Sequence, residues 1–421
     1  MDERHEHRID FSSHKRLMKP AVILITLLIV IYFVNFFTPL RLTNDTVRYL
    51  TIKESIENHI SVDDYLPYGY VFFLFFLSKL HLLHSITVPI LQFLYLLGAL
   101  FFVKKLFPKT NSLFFIAIML LQWTTMKYVI TFLSEMQFMF FSTGTIYFFQ
   151  RYREKRTMSS LLFMLLFLIV SILTRTVGIV LIPALLLSML LPASLSWKEA
   201  IYRYRWIITV FILFGVAAFF FQNTLRVSDY FELFLRRDPL HVVKNNFINH
   251  LADWAAVFLN LSYSKIPLAS AHVVTMIYFV IGLLFFILVV FLFMKSKKLI
   301  PTPVKLYLVF YSIIIFFWPY FDPRFWVPIV PFLIAILMQA VKLISPRMRI
   351  VVSAYFICYT MAGLASIGYY TYTSLNKHAL SEKQDASIWQ NEYEQYFFGR
   401  PITHPDAKVR EKIIRILEKY D

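Results

Sequence analysis

The run AVILITLLIVIYFVNFF (residues 21–37) passes after a short polar link into TNDTVRY (residues 43–49), and LPYGY follows at residues 66–70. The first stretch is apolar almost throughout and has the length a helix needs to cross ~30 Å of hydrocarbon at ~1.5 Å per residue. The polar stretch behind it is the first place where a carboxylate, an arginine and tyrosines gather beside such a run. Everything else in the chain reads as a scaffold for that juxtaposition.

Runs of the same kind recur along the 421 residues, which are 58% hydrophobic and 16% charged with a mean hydropathy of +0.63. A soluble core hides one or two such runs, not a series of them. The fold class expected is an all-α polytopic membrane protein. After Ala21–Phe37 the apolar runs are Ile86–Val103, Ser112–Ile130, Met136–Gln150, Ser159–Leu173, Val177–Leu191, Trp206–Phe221, Ala271–Met294, Val304–Pro319, Phe325–Val341 and Ile350–Tyr370, about eleven spans in all. Tyr68–Leu80 is apolar but short. Were it to cross, Lys104 and Lys105 would lie outside and every later loop would invert its charge preference. A re-entrant or interfacial helix after the first outer loop is therefore expected there.

The net charge of +17 does not point to nucleic acid. Basic residues cluster at Lys15/Arg16/Lys19, Lys104/Lys105/Lys109, Arg151/Arg153/Lys155/Arg156, Lys198/Arg203/Arg205, Lys295/Lys297/Lys298/Lys305 and Lys342/Arg347/Arg349, each against an apolar run. That is the distribution cytoplasmic loops carry. The division expected is a cytoplasmic tail at 1–20, a membrane module at 21–370 with outer loops at 38–66 and 222–267, and a small extracytoplasmic tail at 371–421. That tail ends in an amphipathic helix, Asp406–Tyr420, with Val409, Ile413, Ile414 and Leu417 on one face. The single cysteine, Cys358, sits in an apolar run and reads as a small core residue, so no disulfide framework exists. No Gly-rich phosphate loop, zinc-spaced Cys/His set or Gly-x-Ser-x-Gly elbow is present. Chemistry has to sit on the outer loops or between the spans.

Four residues stand out on the outer side. Asp45, with Tyr49, Ile52 and Ile56 on the same helical face, is either a carboxylate presented at the membrane surface or the N-cap of its helix. Asp63 and Asp64 read as solvated loop acids. Glu135 sits where two spans meet; an acid at that depth faces a cavity or a partner, and Lys127, two turns earlier, is a candidate structural partner. Arg175 and Arg324 lie at outer helix edges, where a guanidinium suits a phosphate through paired charge-assisted bonds, while interfacial snorkelling accounts for either one alone. Asp322 is an internal partner for Arg324. The 222–267 loop interleaves Arg226, Arg236, Arg237, His241, Lys244 and His250 with Tyr230, Phe231, Phe234 and Trp254, which suits a lid, an acceptor surface or a helix resting on lipid.

The arrangement resembles the GT-C superfamily of integral-membrane glycosyltransferases, which includes the protein O-mannosyltransferases and the lipid A aminoarabinose transferase. The resemblance covers roughly residues 20–340. It rests on Asp45 and Tyr49 in the first outer loop, Pro67-Tyr68-Gly69-Tyr70 opening the next apolar segment, Glu135 in the following outer turn, Thr174-Arg175 with Gly178, and Pro323-Arg324-Phe325 with Pro328. Leu66 stands where family members often have a second proline, and Glu135 where the second acid is commonly Asp.

What the resemblance implies is a transfer on the extracytoplasmic face of a bacterial inner (plasma) membrane, from a polyprenyl-phosphate sugar to the hydroxyl of a glycan, lipid or protein acceptor, with inversion. Asp45 is then the base. Glu135 positions the acceptor or helps hold a divalent cation, Arg175 and Arg324 bind the donor phosphate, and Arg48, Tyr49, Tyr68 and Tyr70 contact substrate. Cation dependence stays open, as does the rival reading of a transporter, flippase or polysaccharide polymerase acting on lipid-linked saccharides. Against a transporter stand the scarcity of glycine, nine in the chain, and charges that sit at span edges.

Overall fold

The computed structural model describes residues 11–60, 66–190, 239–262, 271–295, 299–318, 320–341, 345–383, 388–400 and 407–421, with six further residues between 199 and 209. The expected span Trp206–Phe221 falls largely outside them. Asp63 and Asp64, and the Arg226, Tyr230, Phe231, Phe234, Arg236 and Arg237 of the expected outer loop, lie outside them too.

The described residues form helices and no strands. In chain order these are α1 (Phe11–Phe36), α2 (Asn44–Glu57), α3 (Tyr68–Lys79), α4 (Thr87–Leu106), α5 (Ser112–Leu121), α6 (Trp123–Val129), α7 (Glu135–Lys155), α8 (Met158–Thr174) and α9 (Leu181–Leu190). There follow α10 (Pro239–Phe258), α11 (Ala271–Lys295), α12 (Thr302–Phe316), α13 (Val330–Ala340), α14 (Pro346–Leu375), α15 (Lys377–Lys383), α16 (Gln390–Phe398) and α17 (Ala407–Tyr420). Short 3-10 turns precede α9 and α13 at Thr176–Val180, Pro323–Phe325 and Val327–Ile329.

Four helical stretches are long and apolar enough to cross a membrane: Thr87–Leu106, Val273–Lys295, Pro323–Ala340 and Arg349–Leu375. The bent pair α5 and α6 makes a fifth if taken as one span, and Pro20–Phe36, Tyr68–Lys79, Met158–Thr174, Thr176–Met189 and Thr302–Phe316 are shorter apolar helices. The expected eleven are thus met only in part among the described residues. The outer faces agree with a bilayer. On α11, Met276, Val280, Leu284, Ile287 and Phe291 recur at helical spacing and are all more than half exposed. Such a stripe is far larger than a water-facing surface carries. On α1, Leu28, Tyr32, Asn35 and Phe36 turn inward while Ile23, Val30 and Phe33 face out. Cys358 belongs to the exposed face of α14, so its expected burial in the core is corrected.

The break between α5 and α6 is a built feature. Gln122 leaves the helix with φ −74° and ψ 123°, and the two halves meet at 69°. Asn260, fully buried with φ 57°, satisfies the freed groups: its Oδ1 accepts from Trp123 N (2.9 Å) and its Nδ2 donates to Leu121 O (3.1 Å). A broken helix inside a membrane protein needs such replacement partners. Asn260 follows α10, and part of the 222–267 segment is therefore a 20-residue helix packed on α11 with His250, Asp253 and Trp254 buried, so it does not only rest on lipid.

Two contacts place the polar end of the bundle. α3 lies tight on α8, where a Cβ on Gly69 would come within 2.5 Å of the Leu173 carbonyl carbon, so only glycine fits. α17 docks on α2. Its buried face is Ile413, Ile416, Leu417 and Tyr420, with Ile414 only half buried; the expected face is rotated by part of a turn. The Tyr420 hydroxyl accepts from the buried Lys53 Nζ (2.9 Å) and donates to Glu54 Oε1 (3.1 Å), while Lys53 also donates to Glu57 (2.7 Å). The C-terminal segment therefore braces α2 from the side opposite its Asp45 end.

Candidate active site

Thr43 starts α2: its backbone is extended and its Oγ1 accepts from Thr46 N (3.1 Å). The cap reading of Asp45 is thereby corrected. Asp45 sits in the first helical turn, where the helix dipole favours a negative charge. Its Oδ2 accepts from Arg324 Nη1 at 2.6 Å, and Arg48 Nη1 lies 3.7 Å from Oδ1. The Thr46 hydroxyl donates to Phe132 O (3.2 Å) and the Tyr49 hydroxyl meets Ser134 Oγ (3.2 Å), so α2 is stitched to the segment that leads into α7.

Glu135 opens α7 and is 1% exposed. Arg175, held in the extended link between α8 and the Thr176–Val180 turn, pairs through Nη1 with Glu135 Oε1. Burial works against the Arg175 charge, but the Glu135 carboxylate together with the Tyr311 and Tyr49 hydroxyls offsets this and holds the guanidinium above its usual range. The expected Lys127 partner for Glu135 is replaced by Arg175. Lys127 Nζ sits 5.1 Å from the centre of the Tyr128 ring. Glu135 Oε2 is buried and accepts no hydrogen bond from the described residues.

Arg324 lies in the Pro323–Phe325 turn. Asp322 caps that turn, its Oδ1 accepting from Arg324 N (2.8 Å) and from the Tyr128 hydroxyl (2.7 Å). The Arg175 and Arg324 guanidiniums both lie over the Phe325 ring, at 5.6 and 5.0 Å from its centre. One aromatic side chain thus spaces the two cations, with a quadrupole that favours both.

These groups share one cavity of about 450 Å³, lined by Asp45, Arg48, Tyr49, Glu135, Arg175 and Arg324 among others. Three of its walls were not anticipated as site residues: Lys127 and Tyr128 at the end of α6, Trp318, and Tyr320 with Phe321. Apolar runs end at Ile130 and Pro319, and those ends were the only available signal. Lys127, Arg48, Arg175 and Arg324 face the carboxylates Asp45, Glu135 and Asp322, so the lining carries one more positive charge than negative. Tyr49 lines the cavity as a neutral hydroxyl: burial, then the Asp45 and Glu135 carboxylates, push its phenol well above the usual range. Tyr68 and Tyr70 stand apart from the lining. Tyr70 is fully buried, edge-on to Tyr49 (4.9 Å between centres), and its hydroxyl accepts from Gln92 Nε2 (3.2 Å); Tyr68 packs on Phe72.

No group of three or more His, Cys, Asp or Glu side chains able to hold a metal ion exists among the described residues. The nearby acids are engaged with arginines, which is the wrong surrounding for a cation. The arrangement suits an anion held by guanidiniums next to a carboxylate able to take a proton. No family model matches the chain, and no curated protein and no solved structure matches it.

Proposed function

We propose that this protein is an inverting membrane glycosyltransferase that moves a sugar from a polyprenyl-phosphate donor to an acceptor hydroxyl on the extracytoplasmic face. The observation that carries this reading is the convergence of Asp45, Glu135, Arg175 and Arg324, from four distant parts of the sequence, on one cavity with an arginine beside each acid.

The acceptor oxygen forms its bond to the anomeric carbon as the bond from that carbon to the phosphate oxygen breaks. The hydroxyl proton goes to the Asp45 carboxylate, and the electron pair of the broken bond leaves with the lipid phosphate. Arg175 and Arg324 stabilise the charge that grows on that phosphate. The buried Glu135 Oε2 accepts a hydrogen bond from a substrate hydroxyl, which a buried unpartnered oxygen calls for. Tyr49 and Arg48 complete the contacts, and Tyr70 supports Tyr49 from beneath.

The enclosing topology is the eleven-span one, with α3 as a re-entrant or interfacial helix: its 12 residues reach only ~18 Å at ~1.5 Å per residue. The exposed Phe72 and Phe76 on α3 suit contact with lipid. The N-terminus is cytoplasmic and the C-terminal segment extracytoplasmic, in a bacterial inner (plasma) membrane. The acceptor is a glycan, a lipid or a protein.

The test is to incubate the purified protein in lipid nanodiscs with a panel of polyprenyl-phosphate sugars and follow release of free polyprenyl phosphate. Release from one donor in the presence of acceptor supports the proposal. No release from any donor, together with movement of one of them across a liposome membrane, makes the protein a transporter instead.

A further inference from the structure

The two acid–arginine pairs of the cavity are built differently. Glu135 is 1% and Arg175 15% exposed, so opening that pair strands a buried carboxylate. Asp45 and Arg324 are 19% and 22% exposed and face the cavity. Each also has a second partner at hand. Arg48 stands 3.7 Å from Asp45 on the next turn of α2. Asp322 Oδ2 lies 3.8 Å from Arg324 Nε, and its Oδ1 fixes the Arg324 main chain. The Asp45–Arg324 pair can therefore open without leaving either charge alone, whereas the Glu135–Arg175 pair cannot.

Resting on the reading of this cavity as a phosphate site, we propose that the donor phosphate enters by exchange: a phosphate oxygen takes Arg324 Nη1 and frees Asp45 Oδ2, while Asp45 Oδ1 keeps Arg48 as its counter-charge. Asp45 Oδ2 accepts from the Arg324 guanidinium at 2.6 Å. A carboxylate oxygen engaged in that way is a poor proton acceptor. The base becomes competent only once the donor is seated, so a stray water is not activated before the donor arrives. The exchange moves hydrogen bonds only and makes no covalent bond.

If phosphate and Asp45 compete for one guanidinium, removing the carboxylate tightens phosphate binding while abolishing turnover. The probe is farnesyl phosphate, with uncharged farnesol as reference, titrated into the purified full-length protein in zwitterionic nanodiscs and read by calorimetry. Asp45→Asn is expected to bind farnesyl phosphate about tenfold more tightly than the parent protein, equivalent to about 1.4 kcal/mol. Asp45→Ser, measured alongside, gives the same direction if the Asn variant folds poorly. Simple repulsion across the cavity is separated by salt. At about 1 M, where the screening length is about 3 Å, repulsion fades but direct contact in a part-buried pair persists, so the affinity ratio is expected to survive. Equal affinities for Asp45→Asn and the parent, or a ratio that collapses to one at high salt, overturn the exchange while leaving the phosphate site intact. Farnesyl phosphate binding no better than farnesol, with Arg324→Gln indistinguishable from the parent, removes the phosphate site and the exchange together.

Discussion

Asp45, Glu135, Arg175 and Arg324 come from four distant stretches of the chain, and each acid meets an arginine at the wall of the cavity. The alternation of basic clusters with apolar runs grouped these four residues together, and what the structure adds is that they share one cavity. Which arginine meets which acid depends on contacts across 40 and 279 positions of sequence, and no local pattern encodes that. Lys127 was the near candidate for Glu135, yet Arg175 holds it. The choice between cap and surface carboxylate for Asp45 was likewise open: Thr43, two residues earlier, takes the extended backbone a cap needs, which frees Asp45 for the cavity. The Glu135–Arg175 pair supports a direct expectation. Arg175→Ala strands a carboxylate that is 1% exposed, a change that costs about 3–5 kcal/mol for a buried pair. Adding Glu135→Gln removes the stranded charge and restores much of the loss. Thermal unfolding in detergent reads both, and an Arg175→Ala protein that melts with the parent contradicts the pairing.

At the scale of elements, the sequence marked where helices lie better than how they bend. α1 forms where the apolar run 21–37 placed it, though which of its apolar residues turn inward (Leu28, Tyr32 and Phe36, with Asn35) shows only in the structure. The expected span Ser112–Ile130 is instead two helices, broken at Gln122 with no proline or glycine to announce it. The break is stabilised by Asn260, more than 130 positions away. For the 222–267 segment a lid, an acceptor surface or a helix resting on lipid were all open, and Pro239–Phe258 is a helix that instead buries His250, Asp253 and Trp254. Asn260→Ala leaves Trp123 N and Leu121 O buried without partners, at about 1–3 kcal/mol for each orphaned group. A lowered melting midpoint with the cavity's ligand affinity retained is expected. An unchanged midpoint means that other groups satisfy the break.

At the scale of the whole molecule, α17 on α2 requires the C-terminal segment and the cavity to share one side of the membrane. In a Cys358→Ser background, Asn44→Cys and Glu418→Cys are expected to react with a membrane-impermeant maleimide on intact cells, and Lys155→Cys only after permeabilisation. Labelling of positions 44 and 155 from the same side contradicts the topology. The fold alone does not name a reaction, and the proposed sugar transfer stands or falls on Asp45 taking the proton. The most direct measurement compares polyprenyl phosphate release by the parent protein and by Asp45→Asn, using the donor the parent consumes and with farnesyl phosphate binding verified in both. The account predicts that Asp45→Asn binds but turns over about 10²–10⁴-fold more slowly, the usual contribution of a positioned base. Release by Asp45→Asn at the parental rate contradicts it.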